Sequence, residues 1–231
     1  MMFYKHYSFD LWLTLIKSNP AFKTERTLYF QQHFNRFNKS IEEVGQVFRK
    51  VDLVVNAINE KTGKNVDADE MYLLVISIIN EYTTDFRDVD LDKLYNDMEV
   101  LVMENLPVIY CPECPEVLYE LKASSLSSVS LLSNTGFIKG KTLRKVLHEL
   151  GLDAYLDFQL YSDEVRLSKP NPAFFRLMLD TIDRSLHPEL ELHQVIHIGD
   201  NPQADEQGAQ AAGIHSLLIN SNDLSISHLR S

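Results

Sequence analysis

Beyond Pro107 the chain alternates short apolar runs with longer stretches of helical spacing, and this alternation limits the fold more than any other feature. Strands are expected at Ser127–Leu132, Phe158–Tyr161, Gln194–Ile198 and His215–Ile219. Helices are expected between them at Lys141–Leu150, Asn171–Asp183 and Asp205–Ala212, with one more at Glu116–Lys122 ahead of the first strand. A strand joined to the next through a helix of this length lies parallel to it, by a right-handed crossover. Gly213 stands where a left-handed residue would close the last helix. Residues 4–10, rich in aromatics, add a further buried strand, so the chain reads as α/β with a mainly parallel sheet.

Between that first strand and Pro107 the pattern changes. From Ala21 to about Leu106 the spacing is helical and no strand is convincing. Ser40-Ile41-Glu42-Glu43 has the form of a capping box, whose reciprocal hydrogen bonds open a helix running toward Gly63. Asp67-Ala68-Asp69-Glu70 repeats that logic before the apolar positions Met71, Leu74, Val75, Ile78 and Ile79. Asp90–Asn105 places Leu91, Leu94, Tyr95, Met98, Leu101 and Val102 on one face. The expected organisation is a core of residues 1–16 and 107–231, interrupted at 17–106 by an all-helical insertion. The tail from Ser221 is polar and expected to be loosely held.

Composition restricts the partners. Lys and Arg total 22 against 33 Asp and Glu, a formal net charge of −11. Nucleic acid and anionic membrane both need basic patches and are disfavoured. Small phosphorylated substrates stay open, because they need positive charge only locally. No run is long and clean enough to span a bilayer. The apolar stretch after Lys5 and His6 is broken by Asp10 and lacks a small-residue cleavage site, so a cytoplasmic, soluble protein is expected. Nothing in the sequence fixes an oligomeric state. The two cysteines, Cys111 and Cys114, fall in one Cys-Pro-Glu-Cys-Pro. Structural zinc would need two more ligands, and no histidine pair stands nearby at finger spacing. The prolines suit a turn into the helix at Glu116.

Groups able to do chemistry stand at four strand ends. The first offers Asp10, the second Ser133-Asn134-Thr135. The loop after the third contains Ser168-Lys169-Pro170-Asn171-Pro172, and the fourth offers Asp200 and Asp205. In a parallel sheet such ends converge on one crevice. Three acids gathered there repel one another unless a hard cation sits among them, and Mg2+ suits an all-oxygen site. A carboxylate nucleophile, a hydroxyl beside backbone N–H groups, a lysine and an acidic metal site are the parts phosphoryl transfer needs. Each residue alone has a plainer reading as a turn, a cap or a solvated loop residue; the order and placement of all four favour chemistry. Gly136-Phe137-Ile138-Lys139-Gly140-Lys141-Thr142 approaches a phosphate-binding P-loop, but that motif needs four residues between its glycines and here there are three.

Together these segments resemble the haloacid dehalogenase superfamily of hydrolases, in the subgroup whose helical cap is inserted after the first motif. The resemblance rests on Phe9-Asp10-Leu11-Trp12-Leu13-Thr14-Leu15, on Leu131-Leu132-Ser133-Asn134, on Ser162-Asp163-Glu164-Val165 leading to Lys169-Pro170, and on Gly199-Asp200 through Asp205. Pro115–Lys122 resembles the family's usual re-entry into the core. It implies a Rossmann-like core with Asp10 as nucleophile and Mg2+ ligand, forming an aspartyl-phosphate. It implies that Thr14 orients the first loop, that Ser133 and the Asn134 backbone hold phosphate oxygens, and that Lys169 neutralises charge. Asp200 and Asp205 would bind Mg2+, together with the backbone carbonyl of Trp12.

Trp12 is the departure. Phosphatases of this family place a second aspartate there, as proton donor to the leaving group and activator of water. An indole offers only an N–H donor, so turnover of poor leaving groups should be weak. Dehalogenases of the family carry a non-acidic aromatic at this position, which keeps a 2-haloacid dehalogenase open, although they need no Mg2+. A catalytically impaired protein that binds a ligand or partner is a further alternative. Arg26, Arg36, Arg49 and Tyr82 are candidates for choosing the substrate but read individually as surface residues. His197 reads as a packed imidazole rather than a ligand.

Overall fold

The structure, a computed structural model, describes residues 4–123 and 127–230. Its order is β1 (His6–Phe9), β2 (Ile16–Lys17), α1 (Pro20–Phe34), α2 (Ile41–Thr62), α3 (Ala68–Ile79), α4 (Leu91–Glu104), β3 (Val108–Ile109) and α5 (Cys114–Ala123). There follow β4 (Ser128–Ser133), α6 (Gly140–Glu149), β5 (Phe158–Tyr161), α7 (Ser162–Val165), α8 (Pro172–Thr181), β6 (Val195–Gly199), α9 (Gly208–Ala211) and β7 (His215–Leu218). β1, β4 and β6 are buried at every position, as strands covered on both faces must be.

All pairings in the five-stranded sheet are parallel, in the order β5-β4-β1-β6-β7. The chain builds outward from β1 through β4 to β5, then crosses back to the other side for β6 and β7. That reversal opens a crevice at the carboxyl ends around β1, where doubly wound sheets bind ligands. Phe9 lies opposite Leu131 on one side and Ile198 on the other. Asp10 therefore emerges level with its neighbours' ends. On one face of the sheet Phe9, Leu131 and Ile198 are fully buried, and on the other Leu132 and Val195 are. Each such side chain contributes roughly 1.5–3 kcal/mol.

The α1–α4 segment has an apolar cluster of its own, from Phe30 and Val44 to Tyr95 and Met98. The core reaches into it through Phe137, whose carbonyl accepts from the Tyr72 hydroxyl at 2.9 Å. α2 begins at the expected capping box, Ser40 with Glu43, and ends at Gly63 in the left-handed region at φ 65°. β2 and β3 pair antiparallel where the chain leaves and re-enters the core. Strands of two residues have no period to read, so the sequence did not reveal them. No helix of the described residues is long and apolar enough to cross a membrane.

Two expectations are corrected. The last long helix does not begin at Asp205: a wide π-type turn spans Pro202–Gln207, ahead of the short α9. Asn201 starts it early, its side chain accepting from the Gln203 and Ala204 N–H groups. The tail is not loose. Ile226 is buried, and Arg230 pairs with Glu116 and Glu120 of α5. Gly140 answers to packing: a Cβ there would stand 2.6 Å from the Tyr161 ring, so only glycine lets α6 approach β5.

Candidate active site

Asp10 leaves β1 with its N–H donated to the Ile198 carbonyl at 2.8 Å, and its side chain is buried. The chain then turns tightly, with Leu15 and Ile16 N–H groups both returning to the Leu11 carbonyl at 2.9 and 3.0 Å. The turn needs Leu13 at φ 59°, a left-handed conformation that costs a bulky residue about 1–3 kcal/mol. Asn220 secures it by donating to the Leu13 and Thr14 carbonyls. As a result Thr14 folds back, and its hydroxyl donates to Asp10 Oδ2 at 3.2 Å.

Lys169 reaches the same point from the loop before α8. Its Nζ lies 2.6 Å from Asp10 Oδ1 and 2.7 Å from Asp205 Oδ1, with 1% of its surface exposed. Asn134 braces it: the amide oxygen accepts from Lys169 N–H at 2.7 Å, and the amide nitrogen donates to the Lys169 carbonyl at 3.0 Å. The sequence had suggested only the Asn134 backbone. Ser133 is buried and donates its hydroxyl to the Asn134 carbonyl at 3.1 Å.

Asp205 is placed by the turn after β6. The Asn201 N–H donates to its Oδ2 at 2.9 Å. A Cβ on Gly199 would fall 2.2 Å from the Asp205 carboxyl carbon, so the carboxylate occupies room that only glycine leaves. His197 stands 3.1 Å from Asp205 Oδ1 through Nε2, while Nδ1 meets the Ser8 hydroxyl at 2.9 Å. Burial and the nearby Lys169 keep the imidazole pKa below its usual value. Neutral, it donates from Nε2 to Asp205 and accepts from Ser8. This is the packed, hydrogen-bonded histidine expected from sequence.

Oxygens of Asp10, Asp200 and Asp205 lie within 4.8 Å of one another. Burial pushes Asp10 up to about 7; Lys169 opposes the rise, while Asp205 and Asp200 add to it. Asp200 rises to about 6, through burial and then through Asp205. Burial also works against the charge on Asp205, but Lys169 and His197 outweigh it and hold the carboxyl well below the usual range. One lysine thus faces two carboxylates and fully compensates one. The uncompensated charge and the all-oxygen donors fit a hard divalent cation.

A cation held there must displace the protons that burial keeps on Asp10 and Asp200. The deprotonated forms bind, so apparent Mg2+ affinity is expected to rise up to about pH 7 and flatten above it. Calorimetric titration in two buffers of different ionisation enthalpy should find protons released near pH 6 and few near pH 8. A proton count unchanged between them would refute the assignment.

Trp12 is partly buried against the core cluster, and its backbone bridges to Ile16. Among the described residues it brings no further carboxylate into the acid cluster. The end of α2 and the residues after it contact the core beside the site, through residues of which the sequence had marked only Gly63. The Gly63 carbonyl accepts from Ser168 N–H at 3.1 Å and from the Asn171 amide at 3.0 Å. Asn65 accepts from the Ser162 hydroxyl at 2.7 Å, and Glu60 from the Asn201 amide at 2.8 Å. The capping glycine was the one available signal.

Arg36, Arg49 and Tyr82 are exposed, as expected, but Arg26 is not. Its guanidinium lies among the rings of Phe22, Phe48 and Phe137, 4.0 Å from the Phe48 centroid. It is 9% exposed, which corrects its reading as a surface residue.

A family model described as haloacid dehalogenase-like hydrolase matches residues 4–213. The rhythmically expressed gene 2 protein of Drosophila melanogaster is 37% identical over 78 residues, 33% of this chain and 28% of that protein. Ribulose-1,5-bisphosphate 5-phosphatase of Halopiger xanaduensis is 26% identical over 166 residues, 72% of this chain and 64% of that protein. Both matches span less than two thirds of the relative's own length. The HAD-hydrolase YfnB of Bacillus subtilis, in a crystal form bound to magnesium, shares the fold with a TM-score of 0.70 at 18% identity. That alignment covers 97% of this chain and 92% of the other.

Proposed function

This chain belongs to the haloacid dehalogenase-like hydrolase family, and we propose on that basis that it is a Mg2+-dependent phosphatase of a small phosphorylated metabolite. The observation that supports this reading most is the placement of buried Lys169 between Asp10 and Asp205, with Asp200 completing an oxygen-only cluster. A halide-displacing site has no need of that third carboxylate. The phosphatase named among the relatives points the same way.

In this mechanism one Asp10 oxygen attacks phosphorus while the bond to the ester oxygen breaks, leaving an aspartyl-phosphate. Water then attacks phosphorus, and the Asp10 carboxylate departs with its electron pair. Lys169 keeps Asp10 oriented and offsets charge on the phosphoryl oxygens. Thr14 holds the second Asp10 oxygen. Ser133, turning its hydroxyl from the Asn134 carbonyl, and the Asn134 N–H would hold phosphate oxygens. A Mg2+ held by Asp10, Asp200, Asp205 and the Trp12 carbonyl would neutralise the phosphate and orient it in line. α1–α4 act as the cap, a C1-type insertion in this family's terms, and the setting is cytoplasmic. With Trp12 in place of an acid, leaving groups that need a proton depart slowly.

An aryl phosphate whose phenolate leaves without protonation tests this. Turnover in Mg2+ is expected to fall by more than about 100-fold in EDTA, since the cation stabilises transferring charge by several kcal/mol. Turnover indifferent to EDTA would overturn the metal role. Trp12 favours one second reading, a 2-haloacid dehalogenase with Asp10 attacking carbon. Halide release from a 2-haloacid in EDTA, with no phosphate released in Mg2+, would establish it instead.

A further inference from the structure

The Cys-Pro-Glu-Cys segment takes no part in the chemistry above, yet its geometry is specific. Cys111 Sγ and Cys114 Sγ lie 3.2 Å apart, and the Cys114 N–H donates to the Cys111 carbonyl at 3.1 Å. Cys114 is fully buried at the start of α5, whereas Cys111 is only partly buried. Among the described residues no third His, Cys, Asp or Glu donor gathers with the pair. A structural zinc takes four ligands and is set aside.

The pair is tied to the first loop at several points. Cys114 Sγ approaches the Thr14 carbonyl at 4.0 Å. The Tyr110 N–H donates to the Leu15 carbonyl at 2.8 Å, and β3 just before it pairs with β2 just after Leu15. Thr14 in turn donates to Asp10. A disulfide needs its sulfurs at about 2.0 Å, so closing this pair moves sulfur by roughly 1 Å beside the loop.

We propose that Cys111 and Cys114 are a redox-active dithiol, a modification site that exchanges with small disulfides such as glutathione disulfide and transmits its state to the Asp10–Leu15 loop. Partly buried Cys111 is the point of entry. Its thiolate attacks one sulfur of glutathione disulfide, expelling a glutathione thiolate and leaving a mixed disulfide. The Cys114 thiolate then attacks the Cys111 sulfur and expels the second glutathione thiolate. Two protein thiols are oxidised, one disulfide is reduced, and both protein protons end on glutathione. The helix start favours a thiolate at Cys114, but burial opposes it and prevails, with Cys111 adding to the rise, to about 12. The second step therefore quickens with pH.

The full chain, equilibrated in glutathione buffers of graded oxidation at pH 8, tests this without depending on the phosphatase reading. Mass spectrometry is expected to show loss of two hydrogens, mapped to a Cys111–Cys114 link and reversed by dithiothreitol. Emission from Trp12, the chain's single tryptophan, is expected to shift with the same midpoint. Cys111→Ser, changed at the less buried position, should keep the reduced emission throughout. Arrest at a mixed disulfide, or an emission that ignores the link, would overturn the proposal. Absence of phosphatase turnover leaves both readouts intact.

Discussion

Asp10→Asn is expected to abolish turnover of the aryl phosphate, by on the order of 10,000- to 1,000,000-fold, as loss of a covalent nucleophile does elsewhere. The change is nearly isosteric: the amide oxygen can still accept from Lys169, while the NH2 in place of Oδ2 can donate to the Thr14 hydroxyl. What it removes is the electron pair that must attack and a negative charge that burial already penalises. The metal-free variant should therefore melt higher than wild type near pH 8, where the native carboxylate is ionised against its neighbours. Lost activity with gained stability separates removal of a nucleophile from damage to the fold. Retained activity in a folded Asp10→Asn protein would end the aspartyl-phosphate mechanism.

The second large effect runs in the opposite direction. Trp12→Asp is expected to raise turnover of an alkyl phosphate by about 100- to 10,000-fold, the usual worth of general acid–base help. The aryl phosphate should gain far less, because its leaving group needs no proton. Trp12→Asn controls for bulk: it opens the same space without a titratable proton, and should gain little on either substrate. Equal gains from Asp and Asn would mean that the indole was merely in the way. If Trp12→Asp folds, binds Mg2+ and gains nothing, the missing acid is not what limits the enzyme.

The parts of this structure that the sequence revealed are those with a repeating signal or an abrupt chemical ending. β1, β4 and β6 are apolar runs stopped by polar residues, and side chains at those stops meet around Lys169. The capping box at Ser40 was legible because its two hydrogen bonds are local. The Asn134 brace on Lys169 was not, because it joins residues 35 positions apart. Nor was the burial of Arg26, whose rings come from α1, α2 and the loop before α6. A guanidinium in water and one among aromatic faces look alike in sequence. The wide turn at Pro202–Gln207 escaped because aspartates near a helix start read as caps, whereas Asp205 is turned inward to Lys169.

The short stretch from Glu60 to Asn65 touches three separate pieces of the core: the turn after β6, the loop before α8, and α7. Each of those pieces also positions an acid, the lysine or its surroundings. The stretch can engage all three only when they are mutually aligned, so docking doubles as an inspection of the assembled site.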